Sequence, residues 1–193
     1  INNMHPLYDD LDRIKVPNNC FDDWCLGNTG FPMIDACMRA LHSTGWINFR
    51  MRAMLMSFAS YQLWLDWRLT APFLASLFVD FEPGIHFPQC QMQSGTTGMN
   101  TLRVYNPIKQ GYDQDPDGIF IRKWVPELNS LDSSSVHEPW LMPLFPTSYP
   151  KPIIDEKVSR RYALDQIIAL RKTARHRDLL KPLIKKHASR KSN

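Results

Sequence analysis

In Trp46-Ile-Asn-Phe-Arg-Met-Arg52 two arginines stand two residues apart in a stretch that is otherwise mostly apolar. Arginine is rarely buried without an anionic partner, so a hydrophobic helix carrying this pair calls for a carboxylate or a phosphate nearby. At about 100° per residue, Arg50 and Arg52 point to different sides of a helix. One can therefore reach inward while the other reaches the rim. The inward candidates for partners are Asp80 and Glu82. An Arg–Asp pair beside aromatic rings makes a wall for a flat ligand with polar edges, because guanidinium planes stack on π-systems. The plainer alternative is a structural ion pair that ties two helices together. Trp46, Trp64 and Trp67 also lie close together in sequence. Tryptophans at such spacing usually build core, though closely set indoles can also relay electrons.

Other chemistry-bearing residues are less specific. His86, in Pro-Gly-Ile-His-Phe-Pro, sits among apolar neighbours and reads as a core histidine as readily as a ligand. Ser94-Gly-Thr-Thr-Gly98 lacks the lysine and the spacing of a phosphate loop. The four cysteines, Cys20, Cys25, Cys37 and Cys90, form no CxxC pair. No metal site is expected from them, and reduced thiols in an intracellular, cytoplasmic protein are the natural reading.

The elements that must position these residues are helical. Pro32 suits a first helical turn, with Thr29 as its cap and Gly45 as its stop. A second, buried helix is predicted over 46–67 and a third over 70–79. The segment 80–106 has no clean period and reads as an ordered irregular connection, rich in Gly, Pro, Gln and Thr. A short amphipathic helix is expected over 117–128, ended by Pro126, and a last helix or pair over 155–186, broken at Pro182. Residues 1–30 read as loops with one short helix at most. No alternating strand pattern and no internal repeat stands out, so the chain is all-α with long ordered loops.

At 193 residues with 44% apolar content the chain can bury a genuine core. No apolar run reaches a membrane-spanning length, and no membrane partner is expected. The net charge of +4 is unevenly spread: residues 157–193 sum to +10 and residues 1–156 to −6. The expected division is therefore 1–155 and a basic helical segment 156–193, the latter suited to a phosphate backbone or serving only as a solvated basic helix.

Five motifs in order carry a resemblance: Thr29-Gly-Phe-Pro-Met-Ile-Asp35, Thr44-Gly-Trp-Ile-Asn-Phe-Arg-Met-Arg52, Asp66-Trp-Arg68, Arg103-Val-Tyr-Asn-Pro107, and Asp115-Pro-Asp-Gly-Ile-Phe-Ile-Arg-Lys-Trp-Val-Pro-Glu-Leu128. Together they resemble the C-terminal FAD-binding domain of the photolyase and cryptochrome family. The resemblance implies a helical FAD-binding domain, FAD as cofactor and UV-damaged DNA as partner, in an intact protein that is a monomer. It implies that Trp46, Phe49 and Arg52 line the flavin or the lesion, that Asn48 supplies an amide beside them, that Asp80 pairs with Arg52, and that Glu82 is a second acid at the flavin edge. Arg50 and Arg103 fall where repair members meet DNA phosphates, and Trp67 where a photoreduction relay has its middle tryptophan. His86 or Gly84 falls near the flavin N5, and Cys90 or Pro88 where the flavin-proximal tryptophan is usual. Phe49, Cys90 and Ala53 depart from the residues common in dimer-splitting members. In these 193 residues about half of a flavin pocket is expected, without the antenna domain or the part that grips the FAD phosphates. The implied reaction is electron transfer from reduced FAD to a UV-induced pyrimidine photoproduct. A cryptochrome-type photoreceptor without repair, or a cofactor-free nucleic-acid-binding fragment, are the alternatives.

Overall fold

The computed structural model describes residues 2–142 and 148–187. Among them a 3-10 turn at Pro6–Asp10 precedes α1 (Asn19–Leu26), α2 (Pro32–Thr44), α3 (Phe49–Ser57), α4 (Trp67–Leu77), α5 (Pro83–Gln93), α6 (Pro107–Gln114), α7 (Ile119–Trp124), α8 (Glu156–Arg171) and α9 (Ala174–His187). Strands are absent from the described residues; an isolated parallel bridge joins Ile14 to Leu65. The all-α reading holds.

The centre of the molecule is α2, which packs against α1, α3, α6 and α7. Pro32 occupies its first turn, and Gly45 ends it in the left-handed region at φ 68°. Ile34, Ala36, Cys37, Met38 and Leu41 along it are closed to solvent. The expected cap is different, however. The Thr29 hydroxyl accepts from the Phe31 amide outside the helix and donates to Asp35 Oδ1 at 2.7 Å. Asp35 also accepts from the Thr29 and Gly30 amides and from the Tyr149 hydroxyl at 2.6 Å. It thereby fastens the start of α2 to a loop 114 residues away. Gly30 is required there: its φ is 77°, and a Cβ would fall 2.4 Å from the Lys151 carbonyl.

Three expectations need correction. The helix predicted over 46–67 is not continuous: α3 ends at Ser57, a wider π turn covers Phe58–Gln62, and the chain leaves helix at Trp64 with φ 55°. The cause is non-local. Ile14 pairs its backbone with the stretch, its N–H donating to Trp64 O and its carbonyl accepting from Asp66 N. Trp64 is held in its rarely occupied conformation by its indole N–H to Asp12 O, by the Arg13 guanidinium 4.7 Å from its ring, and by Tyr162 edge-on. Asp66 then caps α4 by accepting from Arg68 N, so Trp67 opens a new helix. The irregular segment 80–106 contains a full helix, α5: Glu82 caps it, Pro83 occupies its first turn, and Pro88 is carried inside it. Last, Pro182 does not divide the C-terminal helices. It lies within α9, and the division falls at Lys172–Thr173.

α8 is no detached tail. Its Ala163 and Ile167 are buried with Tyr8, Leu11 and Tyr61 in a small second core. By contrast, α9 buries a single residue, His176.

Candidate functional site

The break after α3 and the turn into α5 leave a cleft between α3, α4 and α5, an open space of about 680 Å3. α3 lines it with Phe49, Arg52 and Met56, at i, i+3 and i+7. α5 lines it with Ile85, Gln89 and Gln93, at i, i+4 and i+8, and with His86 and Cys90 beside them. Large apolar side chains in contact with water mark this face: Phe49 is 58% exposed and Ile85 65%. Apolar side chains that face water across a concave surface, with Phe81 beside them, indicate a place to be covered.

The Arg52–Asp80 pair forms as expected, Arg52 Nη2 donating to Asp80 Oδ2 at 2.9 Å. Arg52 Nε donates to Ile47 O at 2.8 Å, and the guanidinium lies 4.1 Å from the centre of the Phe78 ring. A backbone acceptor, a carboxylate and a ring face thus fix its plane. The helix around it is not buried on every side, though: the side chains of the pair are 25% and 49% exposed. The arginine points into the cleft rather than into a closed core. The hydrogen bond from Arg52 holds the Asp80 carboxyl below its ordinary pKa, so it is ionised at neutral pH.

His86 Nε2 stands 2.8 Å from Ala71 O. A carbonyl can only accept, so Nε2 carries the proton of the neutral ring. Burial pushes the His86 pKa down, the bond to Ala71 opposes this, and the charge on Arg52 pushes it further down. The ring is neutral at pH 7 and wedged edge-on against Phe78, Phe81 and Phe87. Cys90 Sγ lies 3.5 Å from the same nitrogen, and burial pushes its thiol up to about 12. It is therefore no thiolate at neutral pH. Of the alternatives the sequence left in this region, His86 and Cys90 line the cleft.

The remaining expected residues stand in other places. Glu82 is on the cleft wall, with its carboxylate capping α5 through Gly84 N. Asn48 lies at the entry of α3 and spends its side-chain oxygen on Met51 N as the helix cap. Trp46 is 55% exposed and does not line the cleft. Arg50 turns away from the cleft toward α6, its Nη1 3.5 Å from Gln110 Oε1. Arg103 is exposed on the loop before α6. Trp67 is closed to solvent, its indole N–H donating to Asn3 Oδ1 at 2.7 Å. Ser94, Thr96 and Thr97 bond to Gln91 O and Asn100 within their own loop, as a structural turn does.

Sequence reasoning missed Phe78, Ile85, Gln89 and Gln93. The signal was available: Ile85, Gln89 and Gln93 repeat at helical spacing, hidden by Gly84 and Pro88.

A cleft with apolar walls, one fixed guanidinium, an ionised carboxylate and two amide side chains suits a flat heteroaromatic ring with polar edges. Comparison with known proteins points the same way. Residues 2–169 match the family described as the FAD binding domain of DNA photolyase. A deoxyribodipyrimidine photo-lyase of Vibrio cholerae is 38% identical over 150 residues, 76% of this chain and 32% of the relative. A cryptochrome DASH of Gloeobacter violaceus is 34% identical over 145 residues, 70% of this chain and 29% of that one. Among solved structures, an archaeal photolyase from Sulfolobus tokodaii with two FAD molecules superposes with a TM-score of 0.80 at 33% identity, covering 87% of this chain and 39% of its own. The chain spans about a third of the length of the curated relatives it matches.

Proposed function

Because the chain belongs to the FAD-binding domain family of DNA photolyases, we propose that it is the flavin-holding part of a blue-light-dependent photolyase acting on UV-induced pyrimidine photoproducts. The observation that carries this reading is the open cleft with the oriented Arg52–Asp80 pair. Bound and reduced, FAD supplies the light-driven electron for splitting the photoproduct.

The chain's own residues bind and orient. Arg52, with Asp80 as its counter-charge, presents a fixed planar donor to a ring edge, and Phe49 and Ile85 give up water-exposed area when the cleft is filled. His86 keeps its proton at Nε2 on Ala71 O, so the wall beside the ring stays uncharged. Glu82 lines this space, and Trp46 and Asn48 stand just before α3, whose first residue enters it. Arg50 and Arg103, both exposed cations, meet the phosphates of DNA whose damaged base is flipped toward the cleft. Trp67, a dry indole at the start of α4, is the residue that would pass electrons toward FAD once it is bound.

A second reading, a cryptochrome-type photoreceptor without repair, is favoured by one observation. Cys90 lines the cleft at one of the two positions, 88 and 90, where the resemblance puts the flavin-proximal tryptophan, and a thiol there would interrupt an aromatic relay. One experiment addresses both readings. The protein is reconstituted with FAD in the context of its complete gene product and illuminated with blue light on DNA holding cyclobutane or (6-4) photoproducts. Loss of either lesion is expected. Flavin bleaching with both lesions intact would sink repair in favour of the photoreceptor.

A further inference from the structure

The basic C-terminal segment takes no part in the cleft, yet its arrangement is specific. At about 100° per residue, α9 sorts its side chains into two faces. His176, Leu179, Leu180 and Leu183 fall on one; Arg177, Lys181 and Lys185 fall on the other at i, i+4 and i+8. The first face is turned to the body of the protein. His176 is stacked on His5 at 4.2 Å with an interplanar angle of 13°, and the three leucines are half-buried. The second face is exposed throughout. Its one acid, Asp178, reaches Lys181 at 3.0 Å, while Lys172 and Lys186 add charge at the two ends.

We infer that the Arg177–Lys181–Lys185 face of α9 is a contact for the phosphate backbone of duplex DNA, separate from the contacts at the cleft. Helical rise puts about 12 Å between the first and third cation, a length over which one strand of a duplex presents three to four phosphates at about 3.4 Å each. An anionic membrane is the competing partner for a basic helix. A helix that lies in a lipid interface must offer a broad apolar face alongside its cations, and here His176 is buried and the three leucines are half-buried, which leaves Ile184 as the exposed large apolar side chain of α9. The charge is therefore available to a partner that wants cations without hydrophobic insertion. The inference rests on the proposed DNA partner, but it requires neither a lesion nor light.

It is tested by anisotropy with a short undamaged duplex in the dark, across a salt titration, using the 193-residue chain. The variant joins Arg177→Gln, Lys181→Gln and Lys185→Gln, all exposed, and a circular dichroism melt verifies that α9 survives. The slope of log affinity against log salt should become shallower by about 2 to 3, at roughly 0.9 per phosphate released. A single variant, Arg177→Lys, keeps the charge and should keep the parental slope. An unchanged slope in the glutamine variant overturns the inference. So does a loss confined to binding of mixed phosphatidylserine–phosphatidylcholine vesicles, which would assign the face to membranes. Arg103→Gln, in the same titration, separates the cleft contact: the proposed repair function can fail there while α9 binding stands.

Discussion

Asp35 and Asp80 are both held by hydrogen bonds from residues distant in sequence, yet one lies in a finished part of the molecule and the other in an unfinished part. Asp35 is wholly buried and accepts from two backbone amides, the Thr29 hydroxyl and the Tyr149 hydroxyl. Burial raises its pKa and those hydrogen bonds pull it back. Asp80 is half exposed, and one arginine holds it low. Asp35, which serves the fold, is satisfied within the fold. The polar groups around the cleft, Gln89 among them, keep unused hydrogen-bonding capacity and stand beside apolar surface still in contact with water. The difference separates residues that stabilise the chain from residues that wait for a ligand, and each experiment below is a way to break that separation.

The largest effect is expected at Asp35. Replacing it with alanine strands four donors, each costing about 1 to 3 kcal/mol when left unpaired in a buried site. Partial relaxation brings the expected loss to roughly 4 kcal/mol in urea unfolding. A loss under about 1 kcal/mol would mean that the donors find other partners and that Asp35 is no fastening.

A second finished region gives the next effect. His176 is buried against His5, its Nε2 lies 3.4 Å from the Tyr8 hydroxyl, and Arg171 donates Nε to that same hydroxyl. Arg175 pairs with Asp10 nearby. Burial, then His5, then Arg171 push the His176 pKa down to about 4. A histidine whose folded pKa lies below its unfolded value of about 6.5 stabilises the fold above 6.5, and that contribution fades as pH falls from 6.5 toward 4. At pH 5 the fold should have lost about 2 kcal/mol from this group relative to pH 8, and α9 should become open to proteolysis. His176→Phe should flatten that part of the pH profile. A profile identical to the parent's would remove His176 from the cause.

Arg52→Ala brings the contrast to the cleft. A fully buried ion pair would cost about 3 to 5 kcal/mol to break, but this pair is open to water. The expected cost is about 1 kcal/mol or less, most of it from contact with Phe78. FAD binding in the complete protein should weaken at least tenfold, about 1.4 kcal/mol, read by flavin absorbance after desalting. A large stability loss with FAD binding intact would reverse the assignment of Arg52.

How far the sequence could foresee these sites depends on the range of the forces involved. The start of α2 at Pro32 and its stop at Gly45 follow from local backbone preference; the residues alone left Asp80 and Glu82 as partners for Arg52, and the family resemblance singled out Asp80. The end of α3 follows from neither. Residues 46–67 are mostly apolar and carry no Pro or Gly to end a helix, and what stops the helix is the Ile14 backbone, some fifty residues away. The helix through Pro83–Gln93 is hidden for a related reason. Its propensity is poor, and packing against α3 and α4 outweighs it. The exposure of Arg52 was equally out of reach, because a periodic apolar pattern reports that a face avoids water in the complete assembly, not which neighbour covers it.

That last point makes Phe49 the finest test of the contrast. By residue type it belongs in a core, and a buried Phe→Ala change typically costs about 3 to 5 kcal/mol. With 58% of its surface exposed, Phe49→Ser should leave the melting of this chain within about 0.5 kcal/mol of the parent. The same substitution should weaken FAD binding in the complete protein, because the ring area that loses water only when the cleft is filled is gone. A stability loss of core size would show Phe49 packed in the chain by itself, and the cleft would then be a surface feature rather than a site left open for its ligand.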